Sequence, residues 1–218
     1  MPALRDQRQP EAMAWFNRAR GRGLLDAERQ AISGALVSRP GQQPWLWLAP
    51  CVACAEEPEL PPGGLRLHAT GLGFAGSVRC ALPLPLPDEG VGNIILQHVL
   101  DRPAGDLLEE CVRVLEPGGR MWLFGLNPLS PYRLRWTRSG LAPRAAGDWR
   151  QRLGGFGLQP CGGGLNYLGP VWSDAGSAQG GALDSLRAVS LLQVEKRTAA
   201  MIPPAPVKAV WQPGAAPA

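Results

Sequence analysis

Lysine is nearly missing from this chain. Only Lys196 and Lys208 occur among 218 residues, so arginine supplies almost all the positive charge behind a net +4. With 28 glycines and 23 prolines, that bias follows from codon usage as readily as from a basic partner. Long apolar runs are also missing: none approaches the roughly 18 residues needed to span a bilayer. The opening MPALRDQRQPEAMAWFNRARGR lacks the apolar stretch of a secretory signal, so the expected compartment is the cytoplasm. Cysteine is scarce and odd in number, five in all, which excludes a disulfide framework and predicts mostly buried thiols. What remains is 45% apolar with mean hydropathy near zero (−0.09), a chain long enough to bury one sizeable core.

Three stretches divide the chain: a helical N-terminal extension (1–40), an α/β domain (41–198) and a Pro/Ala-rich tail (199–218) expected to be flexible. Trp15, Phe16, Leu24, Leu25, Ile32, Leu36 and Val37 recur at helical spacing, which predicts helix over 11–37. Trp45–Ala49 reads as a buried strand, with shorter strand candidates at 65–69 and 77–82. NIILQHVL (93–100) is apolar on both faces, as a central parallel strand should be. PAGDLLEECVRVLEPGGRMWLFGL then gives a helix with Leu107, Leu108, Cys111, Val112 and Leu115 on one side and Glu109 and Glu110 on the exposed side. Pro117-Gly118-Gly119 is expected to end it, before a strand over 120–126. Residues 155–169 read as a loose strand and 185–197 as a helical start running into a last strand. Alternating strands and helices predict an open α/β sheet, with ligands beyond the carboxyl ends of the strands.

Cys51 and Cys54 form a C-x-x-C pair just after the first strand. The pair reads as a redox dithiol, as half of a metal site, or as two thiols packed at a strand end. Proline-rich AEEPELPPGG does not continue the helix that a thioredoxin-like cysteine needs. Cys80, Cys111 and Cys161 supply no second pair for zinc, so no metal is expected. Arg133, Arg135, Arg138, Arg144, Arg150 and Arg152 gather in one stretch, which reads as a solvated face or as a patch for phosphate-bearing substrates or nucleic acid.

At LPLPDEGVGNIILQHVLDRPAGDLLEECVRVLEPGGRMWLFGLNPLSPYRLR the chain resembles class I S-adenosylmethionine (SAM)-dependent methyltransferases, and within them the type 11 group. That group carries L-P-F-P-D-x-S-F-D, a strand, a helix ending R-V-L-x-P-G-G, and another strand. Here LPLPDEGVG, NIILQHVL, RVLEPGG and RMWLFG follow in that order. WFNRARGRGLLDAE (15–28) and GLNPLS (125–130) are similar to segments of a small bacterial branch of such proteins. The likeness spans about residues 15–197.

The resemblance implies a Rossmann-like class I methyltransferase fold, a mostly parallel sheet flanked by helices, with SAM as cofactor. It also implies a changed cofactor site. Registered on the family's glycine loop, Ala49, Cys51 and Ala53 stand where three glycines would be, and a β-carbon there crowds the cofactor. His68 stands nearest to the ribose-binding acid at the end of the second strand, and Cys80 near the acid beside adenine. SAM binding is therefore expected to be weak or absent. His98, at the end of the fourth strand, reads either as a general base or as a hydrogen-bonded packing residue. Asn127 and Pro128 read as shaping a strand exit. Two functions are expected to compete. One is methyl transfer to an unidentified small-molecule or macromolecular acceptor. The other is a non-catalytic member of the fold that has lost SAM and binds a protein partner. Nucleic acid is not an expected partner.

Overall fold

The computed structural model describes residues 12–37, 44–52, 61–71, 73–101, 106–172 and 183–197. The expected 199–218 tail, Ala53 and Cys54 lie outside these residues.

The N-terminal helical pattern resolves into two pieces, because Arg18 adopts an extended conformation. A 3-10 turn, Met13–Asn17, precedes α1 (Ala19–Val37). Leu24, Leu25, Ile32, Ala35 and Leu36 are buried along one face of α1, and they join the same core as the strands. Gly21 lets α1 approach that turn closely: a β-carbon there would lie 2.4 Å from the Trp15 carbonyl oxygen. Each fully buried leucine or isoleucine contributes roughly 1.5–3 kcal/mol, so this helix is held by packing more than by propensity.

Seven strands follow: β1 (Trp45–Ala49), β2 (Gly64–Ala69), β3 (Phe74–Gly76), β4 (Val91–Gln97), β5 (Leu115–Leu126), β6 (Leu158–Leu168) and β7 (Val189–Lys196). Two further helices join them, α2 (Leu107–Val114) and α3 (Ala146–Gly155). The sheet order is β3-β2-β1-β4-β5-β7-β6. β2, β1, β4 and β5 run parallel, whereas β3 and β7 are antiparallel to their neighbours. β1 and β4 are fully buried. This is a Rossmann-like class I methyltransferase arrangement, with the direction of strand order switching between β1 and β4.

Several local expectations change. Strand 77–82 is replaced by β3 at 74–76, with Cys80 making a single bridge back to Phe74. Pro117-Gly118-Gly119 does not separate helix from strand. β5 already pairs at Leu115 with Val91, and the register shifts before Arg120 pairs with Asn93. Glu110 is buried rather than exposed: its carboxylate accepts from the Leu84 amide at 2.6 Å and pairs with Arg113. Gly64 lies beneath the Trp45 ring, where a β-carbon would come within 1.9 Å, and the Trp45 indole donates to the Pro61 carbonyl.

Candidate functional site

The antiparallel insertion of β7 sets which residues share an edge. Leu126 of β5 and Leu168 of β6 both pair with Val189, so these ends lie on one rim with the carboxyl ends of β1, β2 and β4. Ligands of open α/β sheets bind at this rim, beside the switch point. Ala49 pairs with His68, Ala69 with Phe74, and Phe74 with Cys80. Four of the residues singled out in the sequence, Ala49, Cys51, His68 and Cys80, thus belong to the β1–β3 part of that rim, while His98 follows β4.

The β4 end is densely bonded. His98 is fully buried and left-handed (φ 55°), a conformation that costs a side chain about 1–2 kcal/mol. Its amide donates to the Phe124 carbonyl at 2.9 Å. Its ring Nδ1 bonds to Asp101 Oδ2 at 2.8 Å and its Nε2 to Glu28 Oε1 at 2.6 Å. Two carboxylates, one on each nitrogen, call for a doubly protonated ring that donates to both. Burial alone would lower the His98 pKa, but the charge of Glu28 and hydrogen bonds to Asp101 and Glu28 outweigh it and raise it to about 10. Held so, the ring has no lone pair with which to take a proton from a substrate.

The bonding extends outward. The other Glu28 oxygen accepts from Gln97 at 2.7 Å, and Gln97 accepts from the Trp47 indole at 3.1 Å. Asp101 also accepts from the Leu126 amide at 2.9 Å. Phe16 stacks on the imidazole, with centroids 4.6 Å apart and planes 24° from parallel. Trp15 packs edge-on to Phe16 and Trp136, and its indole donates to the Arg135 carbonyl. The N-terminal segment therefore closes over the ends of β4 and β5. Sequence reasoning missed Glu28, although its signal was present: it is the one acid in the buried Leu24–Glu28–Ile32 row of α1.

The β1–β2 end is built differently. Ala49 and Cys51 are fully buried, and neither adopts a positive φ, so the backbone strain expected of replaced glycines is absent at these two positions. Their β-carbons still occupy the place of a glycine cradle. Cys51 is a buried thiol outside any disulfide among the described residues. His68 Nδ1 is buried with no hydrogen-bond partner among the described residues. Burial pushes the His68 pKa below its usual value, which keeps the ring neutral near pH 7. Burial likewise raises the Cys80 pKa, favouring the thiol. Among the described residues no cluster of His, Cys, Asp and Glu is arranged to hold a metal.

Asn127 shapes the exit of β5. Its side chain donates to the Ser185 and Arg187 carbonyls and accepts from the Leu129 amide, which ties this turn to the start of β7. A groove of about 550 Å³ between α3 and β6, lined by Arg150, Gln151 and Gln159 among others, does not include His68, His98 or Asn127.

No family model matches the chain, and no curated protein matches it in sequence. Solved structures do. A chain of the Haloferax volcanii complex between the Trm112 methyltransferase activator and a methyltransferase aligns with a TM-score of 0.55 at 15% identity. That alignment covers 87% of this chain and 97% of that one. A SAM-dependent methyltransferase from Archaeoglobus fulgidus gives 0.53 at 11% identity, covering 83% and 96%. The 1,6-didemethyltoxoflavin-N1-methyltransferase of Burkholderia thailandensis, solved with S-adenosylhomocysteine, gives 0.52 at 11%, covering 85% of each. At these identities the likeness is one of architecture, and the chain has the class I methyltransferase fold.

Proposed function

We propose that the chain is a SAM-dependent methyltransferase related to the type 11 group, acting on an unidentified acceptor in the cytoplasm. The observation that supports cofactor binding is the unpartnered His68 Nδ1 at the end of β2. In the family this is where ribose hydroxyls are held, and a neutral imidazole nitrogen can bond a hydroxyl in place of the family's acid. At that point the residues present fit the cofactor. When bound, SAM supplies a sulfonium methyl group that passes in line to a nucleophile, leaving S-adenosylhomocysteine.

The chain's own contribution is placement. His68 orients the ribose. Ala49, Pro50 and Cys51 form the floor after β1, with β-carbons at two of the family's glycine positions that hold the cofactor further from the backbone. Affinity is correspondingly weak. Ala53 and Cys80 enter this reading only as positional equivalents. His98, bonded on both sides, positions the rim by clamping α1 to β4, and it is not assigned the base.

A second reading, a non-catalytic member of the fold that serves a protein partner, rests on those same β-carbons and on the closure over β4. Calorimetry with SAM and S-adenosylhomocysteine separates the two. A dissociation constant in the micromolar range, about −8 kcal/mol, lost in His68→Ala with the fold intact, supports the first. No heat at millimolar ligand removes it and leaves the second.

A further inference from the structure

The loops that leave the carboxyl rim beyond β5, β6 and β7 are stitched together at their roots. The Asn127 amide donates to the Ala188 carbonyl at 2.8 Å, and the Ala188 amide donates to the Pro170 carbonyl at 2.9 Å. Exposed apolar side chains lie near these roots in the chain: Leu129 (67% exposed) two residues after Asn127, Trp172 (66%) two after Pro170, and Leu183 (54%) five before Ala188. Leu134, in the 3-10 turn Pro131–Arg135, is 79% exposed. These four are half of the exposed large apolar side chains among the described residues. Leaving them in water on adjoining loops is costly, and such patches mark interaction sites.

The Leu129–Leu134 side of the patch is edged by positive charge. Arg133, Arg135 and Arg138 are exposed and form no ion pair with an acid among the described residues. Six arginines and a single acid, Asp148, fall within residues 133–152, so the rest of the +4 chain is close to neutral. Asp184, at the root of the patch, is paired with Arg187 at 2.7 Å.

We infer that this face docks on an anionic lipid surface, with Leu129, Leu134 and Trp172 entering the headgroup layer and the arginines meeting lipid phosphates. Arginines alone would also suit nucleic acid, but the exposed leucines gain nothing from a hydrated phosphate backbone, whereas a lipid interface buries them. Of the rings near this face, Tyr132, Trp136 and Trp149 are buried and only Trp172, among these, is exposed for stacking on a base. Among the described residues no helix is long and apolar enough to cross a membrane, so the attachment is peripheral. This docking goes beyond methyl transfer and does not depend on it.

Co-sedimentation of the full chain with vesicles tests it, without SAM. Binding is expected to vesicles of equimolar phosphatidylcholine and phosphatidylglycerol, and not to phosphatidylcholine alone. Arg133→Ala, Arg135→Ala and Arg138→Ala should each lower partitioning about fivefold. Leu129→Ser and Leu134→Ser should each lower it about tenfold, with unchanged thermal unfolding because both side chains are exposed. Absence of binding to the anionic vesicles overturns the inference. So does binding that ignores both leucines and is displaced by single-stranded oligonucleotide, which would make the face a general polyanion surface.

Discussion

Beyond β4 and β5 the rim is closed by the protein's own N-terminal segment, and its ionisable groups are bonded to one another: Glu28 to His98, His98 to Asp101, Asp101 to the Leu126 amide. Beyond β1 and β2 the same rim holds small side chains, the Cys51 thiol and an imidazole nitrogen with no hydrogen-bond partner among the described residues. One sheet thus supports two kinds of edge. The closed half derives its order from charge pairing in a dry interior, although the Trp149 indole nitrogen beside Gly125 is buried there with no hydrogen-bond partner among the described residues. The other half leaves a polar atom unanswered, and that is the condition under which a ligand gains most by supplying the answer.

The largest effect should come from breaking the closed half. Glu28→Ala leaves the buried imidazolium with one carboxylate instead of two, and loss of a buried partner costs about 3–5 kcal/mol. Urea denaturation at neutral pH measures it. The pH profile sharpens the result. The folded pKa of His98, about 10, lies above the ordinary 6.5. Its contribution is therefore complete below about pH 6.5, falls as pH rises, and is gone above about 10. The native chain should lose stability across that window and Glu28→Ala much less. Parallel profiles would show that the cluster is not charged.

A smaller loss is expected from Gly21→Ala, which pushes a methyl group against the Trp15 carbonyl and Phe16 Cα, at 2.4 and 2.6 Å. Overpacking of this kind costs about 1–3 kcal/mol. It should loosen Phe16 over His98, read as faster hydrogen exchange at the His98 amide. The smallest change in stability belongs to the other half. Ala49→Gly with Cys51→Gly should lower stability by about 1–2 kcal/mol through backbone entropy while strengthening SAM binding. If affinity instead stays flat, the β-carbons are not what limits the pocket.

Much of the sheet was legible because its central strands are apolar on both faces. WLWLA and NIIL announce β1 and β4 without any knowledge of their neighbours. The Arg120–Leu126 half of β5 was equally plain, while its bulged start was not, since Pro117-Gly118-Gly119 reads locally as a break and only pairing with β4 reveals a strand. β3 was displaced because its three residues are fixed by a hairpin with β2 and not by their own pattern. The place of His98 at a strand end was readable from spacing. Its partners were not, because Asp101 is near in sequence but Glu28 lies 70 residues away. The acid on an apolar helix face was the available sign, and it named no partner.

That separation of 70 residues also has a history in time. A ribosome makes Glu28 and the aromatic Trp15–Phe16 pair well before the histidine they will enclose. Until β4 has emerged, this acid and these rings have only solvent, or each other, to meet. Closure of the rim is then a late step in the birth of the molecule, set by when the fourth strand leaves the tunnel. A nascent chain halted before residue 98 would leave exposed an aromatic pair that the finished protein buries.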